Sequence, residues 1–317
     1  MNIKNNEIKI GMSSCLLGES VRFDAGHKKN RYIVDVLAQF FKFVSFCPEV
    51  SIGLGIPRPT IRLIQQDDVI RCVSTKDPTL DYTEQLDQSA QEQKHWHQQL
   101  SGYIVKKDSP SCGMERVKVY SNDNPTKEGT GLYTQRLMAN FPCLPVEEEG
   151  RLLDPVLREN FIKRVFIYHR WQALQSNRCT WTDISKFHAK HKYIFMSHNQ
   201  NEAKALGNWL ANQHDSEIDQ LSHQYLSQMM DILKNKATRK THANTLTHIQ
   251  GYLKKHIDSI DKQELTETIE QYRLGFLPLI VPITLLKHHF LHHPHQYIIE
   301  SYYMQPHPSE LMLLNGL

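Results

Sequence analysis

The spacing of apolar residues changes character once along this 317-residue chain, and that change limits the folds open to it. Up to about residue 150, short apolar runs alternate with helix-like segments, whereas beyond it helical spacing continues alone. Residues 8–13, 43–46 and 103–105 read as strands, and 61–64 with 69–73 flank Asp67 and Asp68 as a hairpin. Between them, 31–42 places Ile33, Val34, Val36, Leu37, Phe40 and Phe41 at spacings that suit a helix buried on one face. The polar, Gln-rich stretch 82–100 predicts a surface helix, and 131–139 another. Strands alternating with helices predict an α/β domain over 1–150, with a mostly parallel, Rossmann-like sheet.

Residues 142–150, with Pro145 and three consecutive glutamates, read as the junction to an all-α domain over 151–317. Helices are expected at 156–175, 183–198, 201–213, 217–235 and 239–257. Asp261 and Glu264 have the spacing of a capping box, Leu265, Ile269 and Tyr272 then share a face, and Gly275 is a suitable terminator.

Composition narrows the class. With 40% hydrophobic and 22% charged residues the chain is an ordinary globular one, and no run approaches the 18 apolar residues of a membrane span. Residues 1–7 lack the apolar core of a signal peptide, so the cytoplasm is the expected compartment. There, six widely spaced cysteines point to metal, redox or core roles rather than disulfides. Charge is uneven: 18 Lys and Arg face 19 Asp and Glu up to residue 150, and 19 face 15 after it. The second half is therefore mildly basic, which is compatible with a polyanionic partner.

The chemistry concentrates at strand ends. Cys15, Cys47 and Cys112 follow the three predicted strands by two, one and seven residues. Ligands of parallel α/β sheets sit beyond the carboxyl ends of strands, so three thiols from three strands converge on one side of the sheet. Three thiolates can hold a zinc ion or an iron–sulfur cluster with one position open, although the Cys-x-x-Cys spacing of many metal sites is lacking. Three unrelated core or loop cysteines fit the same spacing. Cys72, Cys143 and Cys179 are read as packing or incidental thiols.

Glu49 and Ser109 lie close in sequence to Cys47 and Cys112, as a carboxylate and a hydroxyl suited to moving protons, with Asp108 and Ser111 as weaker candidates. Arg58, in the rigid Pro57-Arg-Pro, can face a phosphate or base, or pair with an acidic side chain. In the second half, a basic helix carrying Arg239, Lys240, His242, Lys254 and Lys255 is either a solvated face or a nucleic-acid contact. His288 with His292, and His289 with His293, have metal-binding spacing but no accompanying carboxylate, and are read as exposed.

Taken together, Ser13-Ser-Cys-Leu-Leu-Gly, Val21-Arg-Phe-Asp-Ala-Gly-His-Lys, Cys47-Pro-Glu-Val, Gly53-Leu-Gly-Ile-Pro-Arg-Pro and Asp108-Ser-Pro-Ser-Cys-Gly resemble the thiouracil desulfidase (TudS) family. The remainder resembles the YbgA-like helical domain through Thr238-Arg-Lys-Thr-His-Ala-Asn, His248-Ile-Gln-Gly-Tyr-Leu-Lys-Lys, Tyr272-Arg-Leu-Gly-Phe-Leu-Pro-Leu and Gln305-Pro-His-Pro-Ser-Glu-Leu. The order of the two is similar to bacterial desulfidases of 4-thiouridine in tRNA. The resemblance implies a 4Fe–4S cluster on Cys15, Cys47 and Cys112, with Glu49 and Ser109 at the catalytic positions. It implies non-redox loss of sulfur from thiolated uridine in tRNA, or from free thiouracil-type bases and nucleosides. An iron–sulfur RNA-binding or redox-sensing module with the same cysteines is the alternative of another class.

Overall fold

The computed structural model describes residues 8–121, 124–176, 178–214 and 216–315; the polar segment read for a signal peptide, 1–7, lies outside them. The chain forms two compact units, Met1–Leu153 and Asp154–Leu317.

In the first unit, strands β1 (Lys9–Ser13) and β2 (Lys42–Phe46) pair in parallel, with Ser13 level with Phe46. Next come helix α1 (Pro48–Ser51), the hairpin β3 (Ile61–Gln66) and β4 (Val69–Ser74), and helices α2 (Thr83–Glu92) and α3 (Lys94–His97). Strand β5 (Gly102–Val105) runs parallel to β1 on its other side. A second hairpin, β6 (Val117–Ser121) and β7 (Asn124–Gly129), precedes helix α4 (Leu132–Asn140) and strand β8 (Val146–Glu148). The main sheet has the order β2-β1-β5-β8 and is parallel throughout. Its central strands are buried, as a sheet covered on both faces requires: Ile10, Met12, Tyr103, Ile104 and Val105 are all inaccessible. Gly11 makes room for a neighbour, because a Cβ there would stand 2.3 Å from the Tyr103 ring.

Four expectations are corrected in this unit. The helix expected at 31–42 is two short turns, Tyr32–Val36 and Leu37–Gln39. Ile33, Leu37, Phe40 and Phe41 are buried as the spacing implies, but the β-branched run Ile33, Val34 and Val36 disfavours a regular helix. The expected surface helix is α2 with α3, and it packs inward through Leu86, Ser89, Ala90 and His97. A second sheet, β4-β3-β6-β7, joins the predicted hairpin to one the sequence did not reveal. Finally, the glutamates of the supposed junction are β8 and its end, with Glu147, Glu148 and Glu149 all buried.

The second unit is helical. It contains α5 (Pro155–Gln175), α6 (Trp181–His198), α7 (Gln200–Ala211), α8 (Ile218–Lys234), α9 (Arg239–Gln250), α10 (Ser259–Leu274), α11 (Ile280–His292) and α12 (Gln296–Ile299). Their starts are built into the sequence. Asp154 accepts from the Val156 and Leu157 amides with Pro155 at the first position, and Thr180 with Asp183 forms a capping box. The cap of α10 is Asp258 rather than Asp261, because the helix begins at Ser259 and Asp258 accepts from the Asp261 amide at 2.9 Å. Gly275 ends that helix in the left-handed region, at φ 93°. Among the described residues no helix is long and apolar enough to cross a membrane.

Candidate active site

The register of the main sheet puts the ends of β1, β2 and β5 side by side, and each delivers a cysteine. Cys15 sits in a single tight turn after β1, its carbonyl accepting from the Lys28 amide at 2.8 Å. Cys47 follows β2 directly and starts α1 with extended backbone. Cys112 arrives through a longer loop, fastened at several points. Ser13 Oγ accepts from the Lys106 amide (3.0 Å), while Glu149 takes the Lys106 ammonium (2.6 Å) and the Lys107 amide (2.7 Å). Glu148 accepts from the Met114 amide at 3.0 Å. The buried glutamates at the end of β8 thus grip both ends of the cysteine loop.

The beginning of α4 holds the loop's middle. Amides of Gly131, Leu132 and Tyr133 donate to the carbonyls of Gly113, Pro110 and Ser111, and Thr134 Oγ1 donates to the Cys112 carbonyl at 2.6 Å. Backbone meets backbone here: a Cβ on Gly131 would lie 2.5 Å from the Ser111 carbonyl carbon and 2.6 Å from the Cys112 nitrogen.

All three thiols line one cavity of about 320 Å³, together with Glu49, Arg58, Ser109 and Lys106. Val21, Phe23, Phe46 and Pro110 add apolar wall. Burial pushes the Cys15 thiol up to about 11 and the Cys112 thiol to about 12; the neighbouring Cys47, itself raised by burial, adds to both. A nucleophilic cysteine needs the opposite shift, so burial disfavours free thiolates here. Positive charge at the site would turn them into ligands. Among the described residues no three or more His, Cys, Asp or Glu side chains are grouped to hold a single metal ion. Thiols arrayed round an open cavity fit a polynuclear cluster, with its irons as separate points of attachment, better than a lone zinc. Cys72, Cys143 and Cys179 are not among the residues of the cavity wall, and none of the six cysteines is in a disulfide.

Glu49 is held from two sides. Arg58 donates to its Oε2 from Nε (3.0 Å) and Nη2 (2.6 Å), and Ser111 Oγ donates to its Oε1 at 2.6 Å. Ser109 Oγ lies 3.0 Å from Ser111 Oγ and accepts from the Cys112 amide at 3.1 Å. Arg58 also donates to the carbonyls of Val21 and Gly55, and its side chain is 4% exposed. A guanidinium so occupied is a fixture of the site, and of its two readings the structure shows the pairing with an acidic side chain.

Cys15, Cys47, Cys112, Glu49, Ser109 and Arg58 are therefore brought together, with Asp108 exposed at the edge of the same cavity. Residues the sequence reading underrated are Ser111, at the centre of the network, and Lys106, Glu148 and Glu149, which fix the loop. The Ser-Pro-Ser spacing was a usable signal for the first; nothing local marked the glutamates. In the helical unit, His242 is buried with Nδ1 2.9 Å from the Tyr303 hydroxyl and leaves the set of nucleic-acid contacts. Arg239 is half-buried, while Lys240, Lys254 and Lys255 are exposed.

Residues 10–149 match the family model of 2-thiouracil desulfurase, and residues 192–308 match a protein family of unknown function, DUF1722. Uncharacterized protein YbgA of Escherichia coli (strain K12) is 30% identical over 151 residues, which is 47% of this chain and 89% of that protein. Among solved structures, the [4Fe-4S]-dependent thiouracil desulfidase TudS is 28% identical over 46% of this chain and 94% of its own. Its TM-score of 0.38 is too low to add weight to the fold. The chain belongs to the YbgA family and carries, ahead of that region, a 2-thiouracil desulfurase domain.

Proposed function

We propose that this protein is a 4Fe–4S-dependent desulfidase that hydrolyses the C–S bond of 4-thiouridine in tRNA, giving uridine and hydrosulfide without net electron transfer. The carrying observation is the junction of two features in one cavity: three buried thiols, and the Glu49 carboxylate wired to hydroxyls beside them. Cys15, Cys47 and Cys112 hold the cluster, whose fourth iron supplies a soft Lewis acid for a thiocarbonyl sulfur. The chain's own groups do the rest. Phe23, Phe46 and Pro110 offer apolar surface to a flat base, and Ser109 reaches the cavity with its oxygen already oriented by the Cys112 amide. Glu49, pinned by Arg58, receives the proton that water loses as it attacks C4.

The 2-thiouracil desulfurase match supports the base, and the exposed lysines of the helical unit support tRNA as its carrier. The six widely spaced cysteines of the sequence, which suit a reducing compartment, support the cytoplasm as the location. The test is a single turnover under argon with protein of known iron content. Uridine and sulfide should appear from thiolated tRNA with no electron donor added. Desulfuration of free thiouracil alone would restrict the substrate to bases, and binding without sulfur release would make the protein a sensor.

A further inference from the structure

Ser111 touches both groups that the desulfidase reading relies on, and it does so from behind the cavity wall. It is fully buried, whereas Glu49 and Ser109 form part of the wall itself. A serine has one hydroxyl proton. The 2.6 Å contact commits that proton to Glu49 Oε1, so Ser111 Oγ accepts from Ser109 across 3.0 Å. Ser109 is free to donate in that direction because its oxygen receives the Cys112 amide. Cys112 Sγ, 3.5 Å from Ser111, is a weak competing acceptor. At the far end Arg58 occupies Oε2, which leaves Oε1 as the oxygen to be protonated, and it faces Ser111. The hydrogen bonds therefore run one way: Cys112 amide to Ser109, Ser109 to Ser111, Ser111 to Glu49.

We propose that Ser111 is a positioning residue that relays the proton of the attacking water from Ser109 to Glu49. This rests on the desulfidase reading above. As the water O–H breaks, a bond to Ser109 Oγ forms; the Ser109 proton passes to Ser111 Oγ, and the Ser111 proton passes to Glu49 Oε1. No net oxidation or reduction occurs: the hydroxide left by the water bonds to C4, and the C–S bond breaks with its electron pair on sulfur. Sulfur takes the remaining hydroxyl proton and leaves as hydrosulfide while C4 becomes a carbonyl. Because Ser111 is shut off from the cavity, it acts through its neighbours and not on the substrate.

The test uses the full chain at matched iron content with free 4-thiouracil. Ser111→Ala should lower kcat by about ten- to a hundredfold and leave KM within about twofold, within the range of general acid–base effects. Ser111→Thr, which keeps a hydroxyl, should recover most of the loss. The double variant Ser111→Ala/Glu49→Gln should be no slower than the slower single one, since both cut the same chain. Should Ser111→Ala fail to accumulate, Ser109→Ala combined with Glu49→Gln should show the same lack of multiplication. A readout independent of turnover is the infrared carboxylate band of Glu49 in cluster-free protein, isolated by difference from Glu49→Gln. That band should shift in Ser111→Ala. Losses that multiply, a raised KM with unchanged kcat, or an unshifted band would each overturn the relay. No sulfur release from wild type would overturn the desulfidase reading, and the relay with it.

Discussion

The two units bury polar groups in opposite ways. In the first, Glu49, Arg58, Ser109, Ser111 and the three thiols are gathered at one end of a sheet, beside an opening. In the second, buried and half-buried histidines are spread among the helices, several with a ring nitrogen tied down singly. Nδ1 of His191, His198 and His307 contacts the carbonyls of Phe187 (2.8 Å), Asn235 (2.6 Å) and Pro308 (3.2 Å), while His188 and His242 contact the phenols of Tyr225 (3.1 Å) and Tyr303 (2.9 Å). A linked network at a cavity moves protons and holds a cofactor. Isolated neutral rings in a helical core specify packing. The difference assigns chemistry to the first unit and leaves the second its exposed surface.

Removing the thiols should break the comparison most completely. Serine at Cys15, Cys47 or Cys112 should abolish the iron–sulfur absorbance and sulfur release together, because each thiol supplies a cavity wall position. Cys143→Ser and Cys179→Ser, away from that wall, should retain full iron content. Iron and activity retained in any of the first three would place the cluster elsewhere.

Acid should separate the units next. Burial lowers the proton affinity of His188 and His307 to about 4 and of His198 to about 3, and drives His191 and His242 well below the ordinary 6.5. Lys163 lowers His198, His242 and His307 further, and Arg170 adds to His191 and His307. The unfolded chain then takes up protons near 6.5 that the folded helices refuse. Stability is present above 6.5 and declines as pH falls from 6.5 toward 4, by as much as about 1.4 kcal/mol per ring for each pH step. Among the described residues of the first unit, burial lowers one such ring, His97, to about 4. Amide exchange at pH 5, corrected for its intrinsic rate, should show α6, α8 and α9 opening before β1 and β5. The reverse order would mean that the buried rings do not govern acid sensitivity.

What could be read beforehand follows the same division. The helical unit was legible because its signals are local: apolar residues at regular intervals and a glycine stop. Where local chemistry was duplicated it misled, since Asp258 and Asp261 both suit a cap and the chain uses the earlier one. In the first unit the three strands before the cysteines were visible as apolar runs, and their parallel pairing follows from the α/β pattern. The strand Val146–Glu148 was not, because the glutamates at its end, Glu148 and Glu149, are held by contacts with a loop 34 to 43 residues earlier. The same distance effect hid the role of Ser111, whose partner Glu49 is 62 residues away. Arg58 shows the converse: an acidic partner was among its expected readings, but not that the partner is Glu49 nor that two carbonyls also claim it.

The smallest expected effect concerns the surface left to the helical unit. Lys240, Lys254 and Lys255 are exposed, in contrast to His242 on the same stretch. If phosphates of tRNA sit against these ammonium groups, each contact adds about one unit to the slope of log affinity against log salt, and no base preference. Changing all three to Ala should then weaken tRNA binding on the order of tenfold at moderate salt and flatten the slope by roughly two to three. Turnover of free 4-thiouracil should stay unchanged, since the cavity lies in the other unit. Extruding a base costs a few kcal/mol, so lost phosphate contacts should appear as a raised KM for tRNA more than as a lowered kcat. An unchanged salt slope would remove this surface from RNA binding and leave the helical unit a structural partner of the desulfidase domain.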